Sequence, residues 1–133
     1  MRTNARLPFL LAIVLCTPAC FPALLGVGAG VVISHEILEN NTYVAQVSEE
    51  AALTWAITRA SLSRQSDDPI TVDDDLRTAT GNIGGSTVTA CVETFNDESC
   101  RVMVSASRHG FSHGPSAEAA LNQILAEINE ASL

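Results

Sequence analysis

Lysine is absent from this 133-residue chain, and only seven arginines stand against fifteen aspartates and glutamates. The shortage of cations excludes a whole class of partners. Nucleic-acid binding rests on basic side chains neutralising phosphates, and an acidic surface repels them. Anionic lipid is equally ill served, because no basic patch exists anywhere in the sequence. Aromatic residues make up 5% of the chain, with a single tryptophan. No internal repeat is present, and low complexity is confined to a few glycines near the start. The acidic runs Asp67-Asp68 and Asp73-Asp74-Asp75 lack the Asp-x-Asp-x-Asp-Gly alternation and distal glutamate of a calcium loop, so they read as solvated turns.

What is present is concentrated at the amino end. Arg2 and Arg6 precede an apolar run over residues 7–15, then Thr17-Pro18-Ala19-Cys20. A basic start, a short apolar stretch and a small residue before a cut make up the layout of an export signal. A cysteine directly after the cut marks Cys20 as a lipidation site, although Thr17-Pro18-Ala19 keeps only the small alanine of the usual lipobox. Cys16, preceded by Leu15, fits that role less well, and Thr17-x-Ala19 also serves as an ordinary export cleavage site. The uncharged stretch over residues 7–33 is long enough for one spanning helix, but Pro8, Pro18 and Pro22 argue against a straight one. The expected division is a signal over residues 1–19, a lipidated amino terminus and glycine-rich apolar tether over 20–41, and a folded domain over 42–133. The alternative is an uncleaved, membrane-anchored structural protein that self-associates through Gly26-x-x-x-Gly30, a spacing that lets membrane helices approach closely.

Loss of the signal takes Arg2 and Arg6 with it. Five arginines then face the same fifteen acids, a formal charge of −10. Cys91 and Cys100 remain as an even pair, and an oxidising compartment would permit a disulfide between them. Along the domain, residues 42–47 alternate as a strand, and Ser48 is placed to cap a helix running to about residue 63. Leu53, Ala56, Ile57 and Ala60 recur at helical spacing, with Trp55 at the edge of that stripe. Short strands follow at 70–72 and 76–80, with turns at 73–75 and 81–85. The clearest strands are 87–94 and 100–107. Setting Val88, Ala90 and Val92 opposite Val104, Val102 and Cys100 gives one apolar face. Cys91 then points away from Cys100, so a disulfide would need a bulge near Phe95. A final helix over 116–131 carries Ala117, Leu121, Ile124, Leu125 and Ile128 on one stripe. The order β-α-β-β-β-β-α predicts an α+β two-layer sandwich: a small antiparallel sheet with two helices on one face.

Chemistry-bearing residues are few. Gly110-Phe111-Ser112-His113-Gly114 matches the Gly-x-Ser-x-Gly nucleophile elbow, but no histidine follows except His113 itself, and the chain is too short for the parallel sheet that holds such an elbow. His109 and His113 have metal-ligand spacing for a helix, yet Gly110, Gly114 and Pro115 place them in a loop with no third ligand nearby. His35 reads as an interfacial polar residue beside the apolar segment, and Trp55 as core. Asn40-Asn41-Thr42 is a formal glycosylation sequon, expected to be silent because a lipoprotein signal implies a bacterium. No catalytic residue, metal or cofactor is assigned.

Several features together resemble a family of short bacterial lipoproteins classed as a domain of unknown function (number 3568). They are Cys20 with the stretch from Ala23 to Gly30, then Glu36-Ile37-Leu38, Tyr43 and Trp55. The loop with Gly110-Phe111 and Gly114 before the last helix completes the likeness. The resemblance implies an envelope lipoprotein with a small α+β domain and supplies no catalytic residues. Phe21 after Cys20 suits the outer membrane, with the domain facing the periplasm. The expected protein is non-enzymatic, held to the membrane by its lipid anchor, and presents a sheet face or loop to an envelope protein or glycan.

Overall fold

The computed structural model describes residues 32–132. The signal expected over residues 1–19, Cys16, Cys20 and the Gly26-x-x-x-Gly30 pair lie outside the described residues. Among those described, seven strands form one antiparallel sheet, with two helices packed on a single face. The α+β two-layer arrangement expected from the sequence is therefore the fold.

Strand β1, Val32–Leu38, leads through a 3-10 turn at Glu39–Asn41 into β2, Thr42–Val47. Asn40 and Asn41 hold left-handed φ values of 58° and 53°, a conformation that asparagine tolerates because its short amide bonds locally. Residues 32–41, expected as the end of a tether, thus form the edge strand of the sheet and the turn that follows it. Helix α1, Ala51–Gln65, follows, then β3, Thr71–Asp73, and β4, Thr78–Ile83. The two-residue turn Gly84-Gly85, with φ of 57° and 83°, joins β4 to β5, Ser86–Thr94. Positive φ at both centres is what such a hairpin turn requires, and glycine meets it without strain. Strand β6, Cys100–Arg108, the two-residue β7, Phe111–Ser112, and helix α2, Gly114–Ala131, complete the chain. The sheet order is β1-β2-β6-β5-β4-β3, with β7 added beside β6.

The β5–β6 register differs from the expected one by two residues. Val88 lies opposite Ala106, Ala90 opposite Val104 and Val92 opposite Val102. A two-residue slip leaves every side chain on its expected face, which is why the apolar face survives. The shift follows from a tight connection over residues 95–99, in which the backbone N–H groups of Phe95 and Asn96 both donate to the Ser99 carbonyl.

Helix α2 buries the stripe read from its sequence: Ala117, Leu121, Ile124, Leu125 and Ile128 are all 0–1% exposed. Helix α1 does not. Its inward face is Ala51, Thr54, Trp55, Thr58, Ser61 and Leu62, while Leu53, Ala56 and Ala60 face solvent and Ile57 is half-buried. The expected Ser48 cap is also displaced. The cap position is Glu50, with no side-chain hydrogen bond. Trp55 explains part of the rotation. Its ring is buried, and its indole N–H donates to Asp74 Oδ1 at 2.9 Å, fixing the helix against the β3–β4 turn.

Under the helices the sheet presents Ala45, Val47, Ala79, Val88, Ala90, Val102 and Val104, all fully buried. Small side chains here let α1 and α2 approach closely. Each fully buried leucine or isoleucine of α2 contributes about 1.5–3 kcal/mol relative to exposure. The loop after α1 closes against β4 so tightly that a Cβ on Gly81 would lie 2.9 Å from Ser66 Oγ.

Candidate functional site

Alternation along a strand sends successive side chains to opposite faces. With both helices on one face, the other lies open, and the register dictates what it displays. One row crosses the sheet as Thr71, Thr80, Thr89 and Ser105. Beside it run Asn82, Thr87, Ser107 and Ser112. A third row reads Asp73, Thr78, Cys91, Met103, Val44 and Glu36. The first two rows are a field of neutral hydroxyl and amide groups spaced by strand separation, about 4.8 Å. Thr80 and Thr89 hydroxyls are 3.1 Å apart and hydrogen-bonded.

The field deepens at one end. Thr42, Thr87, Thr89, Ser105 and Ser112 line a concavity of about 540 Å³; Phe111, 77% exposed, pairs with Arg108 and alternates with Ser112 toward the other face. Local sequence builds this rim. His109 and Gly110 take positive φ (53° and 81°), reversing the chain so that β7 pairs back on β6. The Asn40-Asn41 turn closes the other side, where Asn41 Nδ2 donates to Ser112 Oγ at 3.4 Å. The sequon therefore lies at the edge of this concavity.

Ser112 lies on β7, not on a strand-to-helix elbow, and His113 turns away from it. His113 is the N-cap of α2: its Nδ1 accepts from the Ser116 backbone N–H at 3.3 Å and lies 2.7 Å from Ser116 Oγ. The Ser116 hydroxyl reaches the buried Ser86, and Ser86 accepts from Arg108 Nε at 3.1 Å. That chain of bonds ties the start of α2 to the β5 and β6 ends. His109 occupies the exposed turn before β7, so the two histidines do not share a site. Among the described residues, no group of three or more histidine, cysteine, aspartate or glutamate side chains is placed to hold a metal ion.

The acidic runs are used as fasteners. Asp67 Oδ2 accepts from the Gly84 N–H, Asp73 Oδ1 from the Leu76 N–H, and Asp74 Oδ1 from Trp55 and Arg59. The two cysteines are free and occupy opposite sides of the sheet. Cys91 lies half-buried on the open face opposite Met103; Cys100 is fully buried beneath the helices. The disulfide considered for them is not formed. Burial pushes the Cys100 thiol above its ordinary pKa, against the Thr54 hydroxyl, which favours the thiolate.

Sequence reasoning identified the alternating strands but left the open face unweighed. The signal was the polar half of the same alternation: Thr87, Thr89 and Cys91 on one strand, Met103, Ser105 and Ser107 on the next. The contribution of Asn41 had no such signal, because β1 was hidden in the apolar run before it.

No helix among the described residues is long and apolar enough to cross a membrane. No protein-family model and no curated protein sequence matches this chain, so the lipoprotein resemblance stands on its quoted residues alone.

Proposed function

We propose that this protein is a non-enzymatic, lipid-anchored lipoprotein of the bacterial envelope that binds a glycan strand on the uncovered face of its sheet. The hydroxyl field of that face, deepening into the concavity beside β7, carries this reading. Threonine and serine hydroxyls each donate and accept, so a regular array of them matches the hydroxyl-rich edge of a sugar chain. Neutrality also matters. An acidic protein that carries a neutral polar field suits an uncharged polymer better than a phosphate-bearing one. The membrane half of the reading rests on Cys20 after the export signal and on Phe21 next to it. Several acyl chains on one residue hold a membrane firmly, whereas one holds only marginally.

Co-sedimentation of the detergent-solubilised full chain with insoluble chitin, an uncharged N-acetylglucosamine polymer, tests the glycan. Thr87→Val combined with Thr89→Val is expected to weaken retention about tenfold, equivalent to about 1.4 kcal/mol. Unchanged retention, or none in the parent protein, rejects the surface. Labelled palmitate tests the anchor separately: incorporation is expected to vanish in Cys20→Ala, and label that persists rejects lipidation there.

A further inference from the structure

We infer that a second copy of this chain packs antiparallel on the outer stripe of α1, a face left uncovered among the described residues. The inference is independent of the glycan reading. Leu53, Ala56, Ile57 and Ala60 recur at three- and four-residue steps and so share one side of the helix, with Arg64 one turn beyond. Leu53 is 44% exposed, Ala56 and Ala60 are exposed, and Ile57 is half-buried. Beside the stripe runs a groove of about 720 Å³ against α2, walled on that side by Gln123, Glu127 and Ala131. The face that α1 buries instead carries Thr54, Thr58 and Ser61.

Two observations select the occupant. The first is shape. A two-fold axis makes an interface self-complementary, so whatever one copy sets against its partner is returned by the partner. An axis passing between Ala56 and Ile57 sets Leu53 against the partner's Ala60, and Ile57 against the partner's Ala56. Each large side chain then meets a small one, and the alanines let the two helices settle at the short end of the usual range of about 8–10 Å. The groove next to Ala60 supplies the volume for the partner's Leu53.

The second is charge. The same register brings Arg64 opposite the partner's Glu49, with the partner's Glu50 next to it. Arg64 is bonded to Glu127, yet its side chain is 61% exposed, and a guanidinium carries five donors, more than one carboxylate takes up. Parallel packing would set Arg64 against the partner's Arg64 and the glutamates against each other, so the charges select the antiparallel order. The net negative charge of the chain opposes self-association, but repulsion between exposed charges is largely screened beyond about 8 Å at physiological salt, whereas pairs in contact are not. One helix face on each side makes an interface of the small, transient class, below about 1,200 Å² in total.

The test places a photo-reactive benzophenone amino acid at Leu53 of the full chain and illuminates the cells that express it. We expect an adduct of twice the monomer mass, mapped by peptide mass to residues 56–64 of the second copy. Moving the probe to Ala60 should shift the adduct to residues 49–53 of the second copy, and repeats the measurement should the Leu53 variant fold poorly. The same probe at Thr87, exposed on the opposite side of the sheet, should give no such adduct. Ala56→Glu, at an exposed position beside the axis, brings two carboxylates together and should cut the adduct about tenfold. Adducts only within the same chain, to lipid or to a different protein, no adduct from either α1 position, the same adduct from Thr87, or an undiminished adduct in Ala56→Glu would overturn the inference.

Discussion

Thr58 faces the sheet from the middle of α1, fully buried, and its Oγ1 has no hydrogen-bond partner among the described residues. A buried hydroxyl without a partner loses its water and gains nothing, at a cost of about 1–3 kcal/mol. Thr58→Val replaces that hydroxyl by a methyl of nearly the same shape. Both residues are β-branched, so helix propensity changes little. We expect a net gain of about 1 kcal/mol, the lower end because threonine hydroxyls in helices find transient partners. For a domain of this size that corresponds to a melting-temperature rise of about 4–8 °C. Urea unfolding followed by the single, buried Trp55 gives the midpoint and slope together, and an unchanged slope would confirm that only stability moved. Thr54→Val is the comparison. Its hydroxyl lies against the Cys100 thiol, so its gain should be smaller. If Thr58→Val lowers the midpoint instead, the hydroxyl is bonded in the folded state and the reasoning fails.

Glu127 accepts hydrogen bonds from Ser61, Gln123 and Arg64, linking the two helices. Burial opposes its charge, but those bonds and the Arg64 charge outweigh it and hold the carboxyl below its usual range. A depressed carboxyl stabilises the fold above its unfolded pKa of about 4.3, and that contribution fades as pH falls toward the folded value. Urea midpoints between pH 6 and pH 3 should therefore decline less in Glu127→Gln, by under about 1 kcal/mol because Arg64 is exposed; parallel declines would refute the pairing. Gly81→Ala brings a Cβ within 3.0 Å of Ser66 and Ile70, and should cost about 1–3 kcal/mol in the same unfolding assay; a neutral result would mean the loop after α1 yields freely. Asp74→Ala leaves the Trp55 indole N–H without its acceptor and should cost about 1–3 kcal/mol, whereas Asp74→Asn keeps an acceptor and should cost less. Equal losses from the two would show that the carboxylate charge on Arg59, not the bond to Trp55, secures the turn.

How far the sequence could be read depends on which physical signal each element carries. Helix α2 was legible because its apolar residues and its buried residues are the same set. Strands β5 and β6 were legible for the same reason at period two, and even an error of two in register kept their faces. Strand β1 was not: Val32 and its neighbours extend an apolar run whose earlier part has the character of an export signal, so nothing local marks where the sheet begins. Helix α1 misled in a more instructive way. Its most apolar stripe, Leu53, Ala56, Ile57 and Ala60, is not the stripe that meets the sheet. Thr54, Thr58 and Ser61 take that place because α1 sits close over Ala79 and Ala90, where only short side chains fit, and because Trp55 must reach Asp74.

That mismatch sets the two faces of the molecule apart. A helix that buries threonine and serine while exposing leucine, alanine and isoleucine gives up apolar burial unless something else covers the outer stripe. On the opposite side of the molecule the polarity is normal, with apolar residues inward and hydroxyls outward. The anomaly therefore belongs to the helix layer, beside the point where the chain departs toward its amino end, and not to the hydroxyl-bearing sheet face.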